Sequence, residues 1–203
     1  LIMGVRDRDI LERACELGLA MQLTNIARDV GEDARNQRLY LPREWLEAEN
    51  IDPDAWLQNP VFNDAISRVI QRLISYADDM YERSSYGIVG LPRNCRSAIS
   101  AASLIYSEIS RQIERQGLDS ISNRAVVSKR KKILLLLKSL QSTIYSSKLN
   151  HSLSKIPSIQ FLVDAVEPEA PYAHYSGSVE DRLIWVVGLM EKIERRKVQS
   201  YNS

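Results

Sequence analysis

Glycine and proline are scarce, eight and seven in 203 residues, and aromatics make up only 7%. β-Sandwiches and barrels need frequent turn residues and aromatic or β-branched strands, so these shortages argue against them. Only two cysteines occur, Cys15 and Cys95. Each sits in a helical pattern among ordinary residues, which argues against a disulfide framework or metal knuckle. They read as reduced core thiols of an intracellular protein. No apolar run approaches the roughly 20 residues needed to cross a bilayer; none is longer than five, as in Ile133 to Leu137. Neither sign of charge dominates, and a net charge of +1 nominates neither nucleic acid nor an acidic partner. A signal-peptide pattern is also missing. The chain opens on Leu1-Ile2 without an initiator Met, and a piece of a longer polypeptide is expected.

Helical periodicity, by contrast, is plentiful. Leu11, Cys15, Leu19, Ile26 and Val30 recur at three-, four- and seven-residue steps, predicting a helix over 9–34, with Asp7 or Asp9 as its cap. Pro42 opens a short helix through Trp45, and Pro53 and Pro60 punctuate the next stretch. Further helices are predicted over 61–83, 94–116 and 128–147, with Gly117 stopping the third of the four long ones. The run Lys129-Arg130-Lys131-Lys132 reads as a solvated helix start, since it lacks the interleaved aromatics of a nucleic-acid site. Residues 149–178 look like a linker. A last amphipathic helix is predicted over 179–197, carrying Leu183, Val186, Val187, Met190 and Ile193, to dock on the bundle or touch a membrane. The fold class is therefore all-α, a helical bundle with short connections.

The chemically informative stretch runs from Gln22 to Asp33. At about 100° per residue, Gln22, Asn25, Asp29 and Asp33 fall within roughly 80° of one another. Arg28 points about 120° away from Gln22. The polar stripe lies beside Cys15, Leu19, Ile26 and Val30, where an amphipathic helix would bury apolar groups. Buried carboxylates at i and i+4 repel and are costly, so something must compensate. One solution is Mg²⁺, which takes oxygen ligands and bridges carboxylates to a phosphate. The other is an acidic edge in water, paired to Arg28, Arg35 or Arg38.

The phrase Asn25-Ile-Ala-Arg28-Asp29-Val-Gly-Glu-Asp33 resembles the second aspartate-rich motif of the squalene/phytoene synthase family. Arg38-Leu-Tyr40-Leu41-Pro42 followed by Trp45 is similar to the phytoene-forming branch; the squalene-forming branch generally has an aromatic, often Phe-Trp-Pro, around the last three positions. Gly90-Leu-Pro92, Ile105-Tyr106-Ser-Glu-Ile109 and Arg124-Ala-Val-Val-Ser-Lys-Arg-Lys-Lys132 come next in family order. The resemblance covers about residues 1–148, read as the C-terminal part of a synthase domain, followed by the linker and by a helix and tail over 179–203. The style is similar to the synthase half of fungal bifunctional lycopene cyclase/phytoene synthases. That half would be membrane-associated, with a membrane-embedded domain fused upstream.

The resemblance implies a prenyl synthase bundle, here a partial domain. It implies that Asp29 and Asp33, helped by Asn25, hold Mg²⁺, or Mn²⁺ in its place, on a substrate diphosphate. Gln22, Asn25, Arg28, Arg38 and Arg124 would contact substrate, and Tyr40 and Tyr106 would join the aspartates in catalysis. The implied reaction joins two geranylgeranyl diphosphates head to head through a cyclopropyl diphosphate to phytoene. Trp45 and Trp56 read as packing residues, and His151 and His174 receive no role. The family's first aspartate-rich motif is not found, and the neighbours of Asp78-Asp79 do not resemble it. Two alternatives stay open. One is a squalene synthase-type enzyme using farnesyl diphosphate, although no glycine-rich dinucleotide fingerprint is seen. The other is a non-catalytic relative acting in assembly, which would be expected to lose Asp29 and Asp33.

Overall fold

The computed structural model describes residues 3–142 and 155–166, and every described regular element is a helix. They are α1 (Arg8–Arg35), α2 (Arg43–Ala48), α3 (Pro53–Gln58), α4 (Asp64–Ile88), α5 (Arg93–Arg115), α6 (Lys129–Ser142) and α7 (Pro157–Asp164). Three of the four long predicted helices are present, and the fourth is present as far as Ser142, its residues 143–147 lying outside the described residues. The helix predicted over 179–197, and His151 and His174, lie outside the described residues.

Local chemistry sets the boundaries. Asp7 caps α1 by accepting from the Ile10 amide at 3.1 Å. Asn63 caps α4 in the same way, and Asp52 with Pro53 opens α3. Pro53 is thus a helix start and not merely a break in the chain. Gly117 adopts φ +72°, and the Leu118 amide after it returns to the Ile113 carbonyl, closing α5. α4 runs on through Gly87 to Ile88, beyond the predicted end at 83.

α1 is the spine, packed against α4 and α5, with α7 on its N-terminal half; α6 packs on α5. Its buried face is Leu17, Ala20, Thr24, Ala27, Val30, Gly31 and Ala34. Of the stripe expected from periodicity, only Val30 is fully buried; Leu11, Cys15, Leu19 and Ile26 are half-buried. The physical reason is size. Ala20, Thr24, Ala27, Gly31 and Ala34 let neighbouring backbones come close, and α4 fills the space with Ile66, Ile70, Leu73 and Ile74. Burying each of those four contributes about 2 kcal/mol. Both cysteines are unpaired, and neither is a core thiol: each is half-buried. Cys15 lies on the open side of α1, outside the α1–α4 seam.

Trp56 is buried, and its indole N–H donates to the Val61 carbonyl at 3.1 Å. Trp45 stacks on Tyr76 with centroids 5.6 Å apart, and Arg72 lies 4.1 Å above it. Both tryptophans are packing residues, as expected. A buried ionic cluster was not foreseen. Glu16, fully buried, accepts from Arg83 at 2.6 Å and is ion-paired with Arg13 2.8 Å away, beside Glu12. The stretch expected to be a linker contains α7, whose Gln160 donates to Glu12 at 3.3 Å and whose Asp164 pairs with Arg8.

Candidate active site

The site is built on the side of α1 that its packing leaves open. Gln22, Asn25, Asp29 and Asp33 lie about 180° around the helix from Ala20, Thr24, Ala27, Gly31 and Ala34. The polar stripe is therefore not a buried apolar stripe that went polar. It faces away from the α1–α4 seam, and its members range from exposed (Gln22) to half-buried (Asn25, Asp29, Asp33).

Asp29 is held by two cations. Arg28 donates to it through Nε at 2.8 Å and Nη2 at 2.7 Å, and Arg124 donates through Nε at 2.9 Å. Arg124 also lies 3.2 Å from Glu32. Burial pushes the Asp29 carboxyl up, but the hydrogen bonds from Arg28 and Arg124 outweigh it and hold it below its ordinary value. Asp33 behaves oppositely. Burial and then the charge of Asp29 raise it, against an opposing pull from Arg38. No ion pair to Asp33 occurs among the described residues. On the stripe, Asn25 Oδ1 is buried without a hydrogen-bond partner. The paired-edge alternative thus applies to Asp29 with Arg28, while Arg35 turns away to the Ile121 carbonyl at 3.3 Å.

Arg124 reaches Asp29 because the 116–128 loop lies directly on α1. The Gly31 amide, besides its place in the helix, donates to the Ser120 carbonyl at 3.0 Å. A Cβ at Gly31 would lie 2.3 Å from the Ile121 carbonyl oxygen, so no larger residue fits without moving the loop. Gly31 and Glu32 were missed as site residues. The first lies inside a motif read for its charges, and the second points off the stripe.

Arg38 and Tyr40 join Asp33 in lining a small pocket of about 10 Å³, room for one water, over Ile26, Val30 and Trp56. Tyr40 is 54% exposed, so its ring is not a core element. Tyr106 is half-buried where α5 meets α1 and α4, packed against both apolar clusters. It is not among the residues lining either pocket. Beside it, Thr24 Oγ1 donates back to the Ala20 carbonyl and lies 2.9 Å from the Tyr81 hydroxyl.

Towards the N-terminus of α1, about a quarter turn around the helix from the stripe, the surface becomes apolar. A groove of about 260 Å³ runs between α1, the end of α4 and the start of α5, lined by Ala14, Leu17, Gly18, Met21, Ile88 and Ile99 among others. Gly18 and Met21 lie one to two turns N-terminal to Asn25, so polar stripe and groove succeed one another along the same helix.

A model of the squalene/phytoene synthase family matches residues 1–131. The chain belongs to that family. It is 52% identical over 136 residues to a phytoene synthase of Cereibacter sphaeroides, covering 67% of this chain and 38% of the relative. It is 44% identical over 169 residues to one from Rhodobacter capsulatus, covering 81% and 50%. The bifunctional lycopene cyclase/phytoene synthase of Neurospora crassa matches at a lower 32%, over 66% of this chain and 23% of that one. The chain thus spans half or less of the length of these relatives. Among solved structures it is similar to a dehydrosqualene synthase in complex with ligand, at a TM-score of 0.61 and 32% identity, covering 68% of this chain and 48% of that one. The prenyl synthase bundle expected of a partial domain is the fold observed.

The family implies a divalent cation, and the donors on α1 fit one in part. Asn25 Oδ1 is an orphaned buried acceptor, and Asp33 is a carboxylate without a counter-charge bound to it. All-oxygen donors suit a hard cation. Among the described residues no group of three or more His, Cys, Asp or Glu is placed to hold a metal ion. The stripe therefore offers one wall of a site.

Proposed function

We propose that the intact protein is a Mg²⁺-dependent prenyl transferase of carotenoid biosynthesis that joins two geranylgeranyl diphosphates head to head to give phytoene. The observation that carries this reading is the order of features along α1. Groups that could hold a cation-bound diphosphate (Asp33, Asp29, Asn25, with Arg28, Arg38 and Arg124 nearby) lie one to two turns along the helix from an apolar groove. A prenyl diphosphate has that same order, a charged head on an apolar chain.

Bound Mg²⁺ would neutralise the diphosphate and make it a better leaving group. Asp33, Asp29 and Asn25 would hold it. Arg38 and Arg124 would bind diphosphate oxygens, and Arg28 would keep the Asp29 carboxylate ionised and oriented. Ala14, Leu17, Gly18, Met21 and Ile99 would enclose the chain and exclude water from the allylic cation left by ionisation. The second substrate's double bond attacks that cation and loses a proton to close the cyclopropane. A second ionisation, rearrangement and proton loss complete phytoene. Tyr40, which lines the small pocket with Asp33, would orient the departing diphosphate.

Asp33→Asn in the full-length polypeptide is the decisive substitution, because Asp33 has no ion pair that its loss would disturb. Losing a metal ligand removes several kcal/mol of transition-state stabilisation, so turnover should fall at least about 100-fold. Circular dichroism should show the fold retained. Turnover within about twofold of wild type, in a folded variant, defeats the metal role. Offering farnesyl diphosphate alongside geranylgeranyl diphosphate and analysing the products settles chain length separately.

A further inference from the structure

α7 stands outside the stretch that the family model matches, yet it is built into the fold. Its Ile159 and Val163, one turn apart, are buried as it packs on α1. Its polar residues reach α1 too. Asp164 pairs with Arg8. Gln160 donates to Glu12 at 3.3 Å, and Lys155, just before the helix, lies 3.7 Å from the same carboxylate oxygen. α7 thus ends on the ionic cluster of α1 and α4, a set of buried charges with no part in the proposed reaction.

The arginines of that cluster are shared unevenly. Arg13 lies 2.8 Å and Arg83 2.6 Å from Glu16, whereas the contact of Arg13 with Glu12 is 3.4 Å long. Glu12 is only 2% exposed, so water does not make up the difference. A buried carboxylate short of partners is costly, and Gln160 and Lys155 supply what Glu12 lacks. Without them Glu12 would compete with Glu16 for Arg13. The position of Arg13 matters to the groove. A Cβ added at Gly87 would lie 2.4 Å from Arg13 Cβ, so α1 and α4 touch there with no space between them. Arg13, Ser84 and Gly87 all line the groove. A swing of Arg13 from Glu16 toward Glu12 therefore alters the wall along which the apolar chain would lie.

We propose that α7 is an intramolecular strap and that Gln160 and Glu12 are positioning residues: by satisfying Glu12, α7 keeps Arg13 on Glu16 and so fixes the groove wall where α1 crosses α4. The inference rests on the reading of the groove as the seat of the prenyl chain. Apolar contacts with the chain are alike before and during ionisation, so a disturbed wall weakens binding and spares the chemical step.

The test is Gln160→Glu in the full-length polypeptide, which sets a second carboxylate against Glu12. KM for geranylgeranyl diphosphate should rise about fivefold or more while kcat stays within about twofold. Adding Glu12→Gln should restore KM, because an amide at position 12 can donate to the new carboxylate. In calorimetry, the Kd of geranylgeranyl thiolodiphosphate, an unreactive analogue with sulfur as the bridging atom, should follow KM. If Gln160→Glu does not fold, Gln160→Ala, which only removes the amide, should raise KM and Kd about twofold or more. The proposal is overturned if the folded variants keep wild-type KM and Kd, if only the melting temperature falls, if kcat falls at constant KM, or if Glu12→Gln does not rescue Gln160→Glu. Analogue binding weakened as expected, in a protein that forms no phytoene, would sink the phytoene reading and leave the strap standing. A wild type that does not bind the analogue would overturn both.

Discussion

Asp29 and Asp33 are one helical turn apart, yet their surroundings push them in opposite directions. Arg28 and Arg124 hold Asp29 below its ordinary 3.8, while burial and the charge of Asp29 lift Asp33. For Asp29 the unfolded chain binds more protons in the window between its folded and unfolded values, so stability rises with pH there. That contribution is present above the unfolded value and is lost as pH falls through the folded one. The stability gap between wild type and Asp29→Asn, read by urea denaturation, should therefore be steady near neutrality and shrink in acid. A constant gap between about pH 3 and pH 6 would contradict the ion pairs. Gly31→Ala is a second residue-scale test. Its Cβ would collide with the Ile121 carbonyl oxygen, and a backbone atom cannot step aside as a flexible side chain can. Overpacking of about 1–3 kcal/mol is expected, together with a weaker hold of Arg124 on Asp29 and slower turnover. Unchanged melting and activity would mean that the loop does not rest on α1. The charged stripe was legible because residue type and i, i+4 spacing announce themselves. Gly31 was not, because nothing in a sequence tells which backbone will approach a glycine from some 90 residues away.

At the scale of elements, the four long helices came from their apolar periodicity, but the packed face of α1 did not. Periodicity weights large apolar residues, and α1 buries its small ones. Leu19 touches neither apolar cluster, whereas Ala27 is completely buried between helices. Ala27→Leu should thus cost about 1–3 kcal/mol and lower the melting temperature by roughly 2–10 °C. Leu19→Ala should cost less. The reverse order in thermal circular dichroism would return the seam to the stripe read from periodicity. The buried Glu12–Arg13–Glu16–Arg83 cluster was illegible for a related reason. Charged residues on a helix normally face water, and only the approach of α4 turns these inward. α7 escaped notice because eight residues behind a proline carry too little periodicity to register.

For the molecule as a whole, the question is how much of a reaction centre one wall can supply. The proposed reaction binds two diphosphates and ionises them in turn. That much phosphate charge calls for several divalent cations, each wanting near-octahedral oxygen coordination. α1 contributes Asp29, Asp33 and Asn25 on one side of the space, and the two arginines on Asp29 already take up part of its charge. Nothing else described completes a metal-binding group. The groove beside the stripe is open to solvent along α1, so water would reach an allylic cation formed in it. We therefore predict that the 203-residue chain alone, given geranylgeranyl diphosphate and Mg²⁺, forms no phytoene. It should still bind Mn²⁺ weakly at the stripe, detectable by electron paramagnetic resonance and lost in Asp33→Asn. Co-expression with the preceding half of a synthase carrying the family's first aspartate-rich motif should restore product. Phytoene formed by the isolated chain at the rate of a full-length synthase would mean that the second set of carboxylates lies within these 203 residues after all.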